Sequence, residues 1–143
     1  MSFYLYNENN LYNFFNSRIK LARCDEKTKT YIISIFSDIN HSKNFSKESI
    51  TLSYNNALEK YSFNEFKQIG DWLFFTKSIF PNSLSGASAE YYNAIASSAY
   101  YKCHILMKRQ WLLFEELADR FGYLTSAVNE VMRDVQSSPV NLS

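Results

Sequence analysis

Glycine and proline are nearly missing from this chain, with three of the first and two of the second in 143 residues. So few turn formers disfavour a sandwich or barrel, which needs many tight hairpins. Phosphate cradles go with them. Gly70, Gly86 and Gly122 stand too far apart for a P-loop or a G-x-G-x-x-G turn. Histidine is also scarce: His41 and His104 occupy no H-E-x-x-H or Glu-x-x-His spacing. Cys103 and His104 are neighbours, which a helix would point about 100° apart. No metal and no cofactor are expected, and no G-x-S-x-G elbow marks a nucleophile. The two cysteines, Cys24 and Cys103, have no paired spacing and are expected as reduced thiols. Charge of one sign is lacking too. Fifteen Lys and Arg face fourteen Asp and Glu, for a net charge of +1, which argues against a general attraction to nucleic acid or anionic lipid. The longest apolar run, Trp72 to Phe80, is broken by Lys77 and is too short to span a bilayer. The opening "MSFYLYNENN" lacks the basic and apolar regions of a secretory signal. A cytoplasmic protein with no membrane partner is the expectation.

What is present is helical patterning and aromatic rings. Leu11, Phe14, Phe15, Arg18, Ile19 and Ala22 repeat at i, i+3, i+4, the spacing of one buried helix face. Asp25 is placed to cap a second helix whose stripe is Tyr31, Ile32, Ile35, Phe36 and Ile39, after which "INHSKNFS" reads as a loop. In "SKESITLSYNNALEKYS" the residues Ile50, Tyr54, Ala57, Leu58 and Tyr61 fit a helix better than the local alternation fits a strand. Ser62 and Glu65 have the spacing of a capping box. The helix they open should run until just before Pro81, because the residue preceding a proline avoids the α region. "PNSLSGAS" then reads as a loop. An anion at the helix N-terminus that follows it is the bolder reading, and a simple cap the expected one. From Ala89 to Phe121 the helical pattern is continuous and would measure about 50 Å. "KRQ" at 108–110 is the expected break. Gly122 is read as a C′ glycine, residues 124–135 as a last helix and residues 136–143 as a mobile tail. The fold class is therefore all-α: a compact irregular bundle of six or seven helices, with residues 1–135 as a single domain.

Gly70 and Asp71 interrupt the apolar stretch "FKQIGDWLFF". Glycine inside a helix costs about 1 kcal/mol against alanine, which makes sense where a neighbour must come closer than a Cβ allows. "AEYYNAIASSAYY" offers a small-residue surface, so Gly70 is expected over Ala96 or Ala99, with Phe66, Leu73, Tyr92 and Tyr100 around the crossing. A buried Asp71 needs partners, because an isolated buried charge is prohibitively costly. Tyr91, Tyr92, Tyr100, Lys102 and Arg120 are the candidates, and a structural clasp is the expected role. An active-site carboxylate is the alternative.

"FKQIGDWLFFTKSIFPNSL", "AEYYNAIASSAYYK" and "FEELADRFGYLTSAVNEV" resemble a family of uncharacterised bacterial proteins. Its pattern falls here on Gly70 and Asp71, Phe80 and Pro81, Tyr91 and Tyr92, and Ser98 to Tyr100. It continues on Leu117 to Phe121 and Asn129 to Val131. "DEKTKTYIISIF" matches more weakly. The resemblance implies a helical fold and a bacterial or phage-related source, and it transfers no activity. One departure is Ala96 and Ser97, where the family often carries glycine.

Three surfaces remain. Glu115, Glu116 and Asp119 read as a salt-bridged helix face with Arg120 rather than a catalytic pair. Lys102, Lys108 and Arg109 with Tyr101 and Trp111 are the best basic and aromatic cluster for a single strand, although cations closing a helix explain it more simply. Finally, twelve Phe, eleven Tyr and two Trp exceed what a core of this size must bury. Phe3, Tyr4, Tyr6 and Tyr12 form an aromatic arm that packs either on its own core or on another molecule. The expected function is a non-enzymatic protein-interaction module, an adaptor or small subunit of a larger assembly, acting on a protein partner or a second copy. A nucleic-acid accessory factor and an enzyme with an Asp/Tyr site are the alternatives.

Overall fold

The computed structural model describes residues 24–37, 47–84, 88–108 and 112–137 of the chain. Among them the architecture is an all-α bundle of six helices without strands: α1 (Glu26–Ser37), α2 (Lys47–Lys60), α3 (Phe63–Ile79), α4 (Ala89–Leu106), α5 (Leu112–Asp119) and α6 (Phe121–Ser137). The helix read over residues 11–22, the loop after α1, His41 and the aromatic arm of Phe3, Tyr4, Tyr6 and Tyr12 lie outside the described residues.

α3 is the central rod. It packs on α4, α6, α2 and α1 and on the 3₁₀ turn Pro81–Leu84 that follows it. This position explains its composition, because Phe66, Ile69, Gly70, Asp71, Leu73, Phe74, Thr76 and Ser78 are all buried, on more than one face. α6, by contrast, touches the bundle along one stripe: Phe121, Leu124, Thr125, Val128, Val131 and Met132 are buried at helical spacing. The core is completed by Ile32 and Phe36 of α1, Ile50 and Ala57 of α2, Ile95, Ala96, Ala99, Tyr100 and Cys103 of α4, and Phe114 and Leu117 of α5. Each large side chain fully removed from water contributes about 1.5–3 kcal/mol. Phe114 joins three helices, with edge-on rings of Tyr31 and Phe63 each 5.5 Å away and Tyr100 at 6.2 Å.

Helix ends follow local chemistry. Asp25 caps α1, its Oδ2 accepting from the Lys27 N–H at 3.0 Å. Half of the capping box of α3 forms: Ser62 Oγ accepts from the Glu65 N–H at 3.3 Å. The other half does not, because the Ser62 N–H goes back to the Ala57 carbonyl at 3.4 Å to close the end of α2. Closing it that way puts Tyr61 in the left-handed region at φ 51°, so Tyr61 turns outward instead of extending the buried stripe of α2. The break expected at 108–110 comes slightly earlier. Met107 and Lys108 end α4, with Lys108 at φ 56° and its N–H on the Ile105 carbonyl at 2.9 Å.

Other expectations need correcting. Part of the stretch read as loop after Phe80 is the 3₁₀ turn Pro81–Leu84, with the fixed φ of proline opening it. Gly122 is not a C′ residue. α5 ends at Asp119, Arg120 makes the turn, and Gly122 lies in the first turn of α6 with nothing within 4 Å of where its Cβ would stand. The Leu124 N–H bonds the Arg120 carbonyl at 2.8 Å, which starts α6 before the glycine. α6 also runs through Gln136 and Ser137, two residues into the stretch read as a tail, and residues 138–143 lie outside the described residues.

Candidate functional site

Asp71 sits on the inner side of α3, with 8% of its surface exposed. Three donors converge on its carboxylate. The Tyr31 hydroxyl of α1 lies 2.7 Å from Oδ1 and 2.9 Å from Oδ2, the Tyr100 hydroxyl of α4 donates to Oδ1 at 2.8 Å, and Lys67 Nζ donates to Oδ2 at 3.1 Å. Burial pushes the Asp71 carboxyl above its ordinary value, while Lys67 and the two phenols pull it down. Burial and the neighbouring carboxylate raise both Tyr31 and Tyr100, which therefore stay protonated as donors. The chemistry is that of a clasp, in which one buried acceptor ties three helices together, with Lys67 reaching it from the solvent side.

Gly70 makes room for this clasp. A Cβ placed there would lie 2.7 to 2.9 Å from three ring atoms of Tyr100. The close neighbour is thus an aromatic ring, where the sequence suggested the backbone near Ala96 or Ala99. Both alanines are fully buried, and Tyr92 is half-buried against the core. Of the five partners expected for Asp71, Tyr100 alone bonds it among the described residues. Tyr91 is turned outward and shares a 2.6 Å hydrogen bond with Thr51 of α2. Lys102 holds its ammonium 5.9 Å from the Tyr61 ring centroid, and Arg120 bonds Glu116 Oε2 at 2.7 Å. Tyr31 was not anticipated because it lies forty residues away and its stripe marks it only as apolar. Lys67 had a signal, since a lysine one helical turn before a buried acid shares its face.

Other candidates separate. Cys103 is buried, its thiol pushed up to about 12 by burial and by Asp71. His104 is buried as well, with Nε2 3.4 Å from Glu115 Oε2. Cys24 and Cys103 are both free thiols. Lys108 is exposed at the end of α4, while Arg109 and Trp111 lie outside the described residues. Among the described residues no three of His, Cys, Asp and Glu gather as a metal site, and no helix is long and apolar enough to cross a membrane.

The outer surface carries bulky side chains on four helices. Leu52, Tyr91, Tyr101, Leu112 and Tyr123 are exposed, as are Tyr61 and Phe80 at the ends of α2 and α3. Between α1 and α5 the described residues leave an open groove of about 1100 Å³, lined by Tyr31, Leu112 and Leu113 and by polar residues on both sides. Comparison with protein-family models, curated proteins and solved structures finds no match.

Proposed function

We propose that this chain is a non-enzymatic protein-interaction module, an adaptor or small subunit of a larger bacterial or phage-linked assembly. The observation that carries the reading is the division between inside and outside. The buried acid is occupied by donors from its own fold, while Leu52, Tyr61, Tyr91, Tyr101, Leu112 and Tyr123 present large side chains to solvent. Tyrosines of this kind anchor protein interfaces, since they bury much area at small entropic cost. Copurification from the source cell at natural expression level tests it. A stoichiometric companion should be lost when Tyr61→Ser, Leu112→Ser and Tyr123→Ser are combined, with the melting temperature held. A chain that elutes alone, unchanged by those substitutions, refutes the reading.

A second reading, a nucleic-acid accessory factor, draws on Lys102 beside the exposed Tyr61 ring, with Tyr101 and Lys108 on the same helix end. Glu65 lies 3.5 Å from Lys60 in the same region and offsets its charge. Binding of a single strand should weaken steeply with salt, and an affinity indifferent to salt removes this alternative. An enzymatic use of Asp71 would require a substrate to displace the phenols that cover it.

A further inference from the structure

We infer that the groove between α1 and α5 is a docking site for a cationic amphipathic helix of a partner protein. The inference rests on the interaction reading above and specifies its partner class. Part of the lining is apolar: Tyr31 and Leu113 contribute to it, and Leu112 stands 69% exposed, the most exposed of the large hydrophobic side chains described. An aliphatic side chain left that open on a groove wall is what the apolar stripe of a partner helix covers.

The walls set the sign of the charge. Asp25, Glu26, Glu115, Glu116 and Asp119 line the groove against Lys27 and Arg120. Arg120 closes on Glu116 at 2.7 Å, and Lys29, beneath the wall, closes on Glu26 at 2.8 Å. On the α1 wall Asp25 and Glu26 are matched by Lys27 and Lys29, so the surplus of negative charge sits on the α5 wall, at Asp119 and at Glu115, one turn apart, the latter also 3.4 Å from His104. Lysines or arginines beside an apolar stripe meet carboxylates along the α5 wall, while an acidic helix is repelled from it. The eight residues of α5, the shorter wall, run about 12 Å, room for about two turns of a partner helix.

The test uses the full chain and two labelled synthetic peptides of about fifteen residues with the same helical pattern, one of Leu and Lys, the other of Leu and Glu. Fluorescence anisotropy should show binding of the Leu/Lys peptide alone, weakening about tenfold between about 50 and about 300 mM salt. Leu112→Ser, and separately Glu115→Lys with Asp119→Lys, should each weaken it at least about tenfold, with the melting temperature unchanged. Leu52→Ser, on α2, should leave it as it was. Equal binding of both peptides, or binding untouched by the groove substitutions, overturns the inference. So does a sharp fall in melting temperature for Leu112→Ser without peptide binding, which assigns the groove to another stretch of this chain. A dimer in sedimentation that Leu112→Ser dissolves assigns it to a second copy and overturns the inference too. If the Leu/Lys peptide fails while Leu112→Ser still strips a copurifying partner, the cationic class falls and the interaction reading stands. If the Leu/Lys peptide fails and the chain also elutes without any partner, both fall.

Discussion

Two glycines in the helices of this chain should answer the same substitution in opposite ways. At Gly122 a methyl group meets nothing within 4 Å, so Gly122→Ala should stabilise by about 0.5–1 kcal/mol through helix propensity. At Gly70 the same methyl would sit under 3 Å from the Tyr100 ring. That ring is fully buried and tethered by its hydroxyl to Asp71, so it cannot swing aside. Gly70→Ala should therefore cost about 1–3 kcal/mol despite the better propensity, and paired urea melts measure both. Asp71 adds a pH signature. Because burial raises its carboxyl, the folded state holds this proton more tightly than the unfolded chain does. The stability so gained is complete below the ordinary value of about 3.9 and is lost as pH climbs through the folded-state value. Against Asp71→Asn, which does not titrate, the wild type should lose ground as pH rises above about 3.9. Parallel melting temperatures across that range would contradict it. Asp71→Ala should cost about 3 kcal/mol at low pH, since it leaves two phenols without their acceptor, and the cost should shrink as pH rises.

At the scale of the element, the ends of α2 and α4 do with tyrosine and lysine what glycine usually does. Tyr61 and Lys108 both hold positive φ so that the next turn can leave its helix, at a cost of about 1–2 kcal/mol for a side chain with a Cβ. Lys108 is exposed, so Lys108→Gly should raise stability by up to about 1 kcal/mol, read as a shift in the urea midpoint with unchanged slope. The same substitution at Tyr61 is less clean, because it also removes the ring beside Lys102. The half-formed capping box follows from this arrangement. With one residue between α2 and Ser62, the Ser62 N–H is already committed to Ala57 when Glu65 could reach for it. Glu65 Oε2 is left buried without a hydrogen-bond partner among the described residues.

Across the whole bundle, the thiol of Cys103 reports on integrity. It is buried where α4 meets the start of α3, its Sγ 3.9 Å from the Phe63 carbonyl, and its pKa is pushed up to about 12 by burial and Asp71. Reaction with a thiol reagent needs the thiolate. Cys103 should stay unlabelled at neutral pH until global unfolding, so its labelling rate in urea should track loss of the helical signal. Labelling in native buffer at the rate of an exposed thiol would contradict this packing.

Periodicity and punctuation in the chain were enough to determine that it is helical, where α3 stops, that α4 and α5 are separate, and that Gly70 needs a close neighbour. Those features are local: spacing along one helix, a proline, a cap, a glycine whose cost must be offset nearby. The residues that surround Asp71 were decided by tertiary structure. Tyr31 arrives from another helix, Tyr100 rather than a neighbouring backbone fills the space over Gly70, and Gly122 starts a helix instead of ending one. Leu112 reads in sequence as one more apolar helix residue, and only the way α5 lies beside α1 leaves it exposed on a groove lined by carboxylates. A side chain's partners across a bundle depend on how helices rotate against one another, and helical periodicity states which face is apolar without stating what that face will meet.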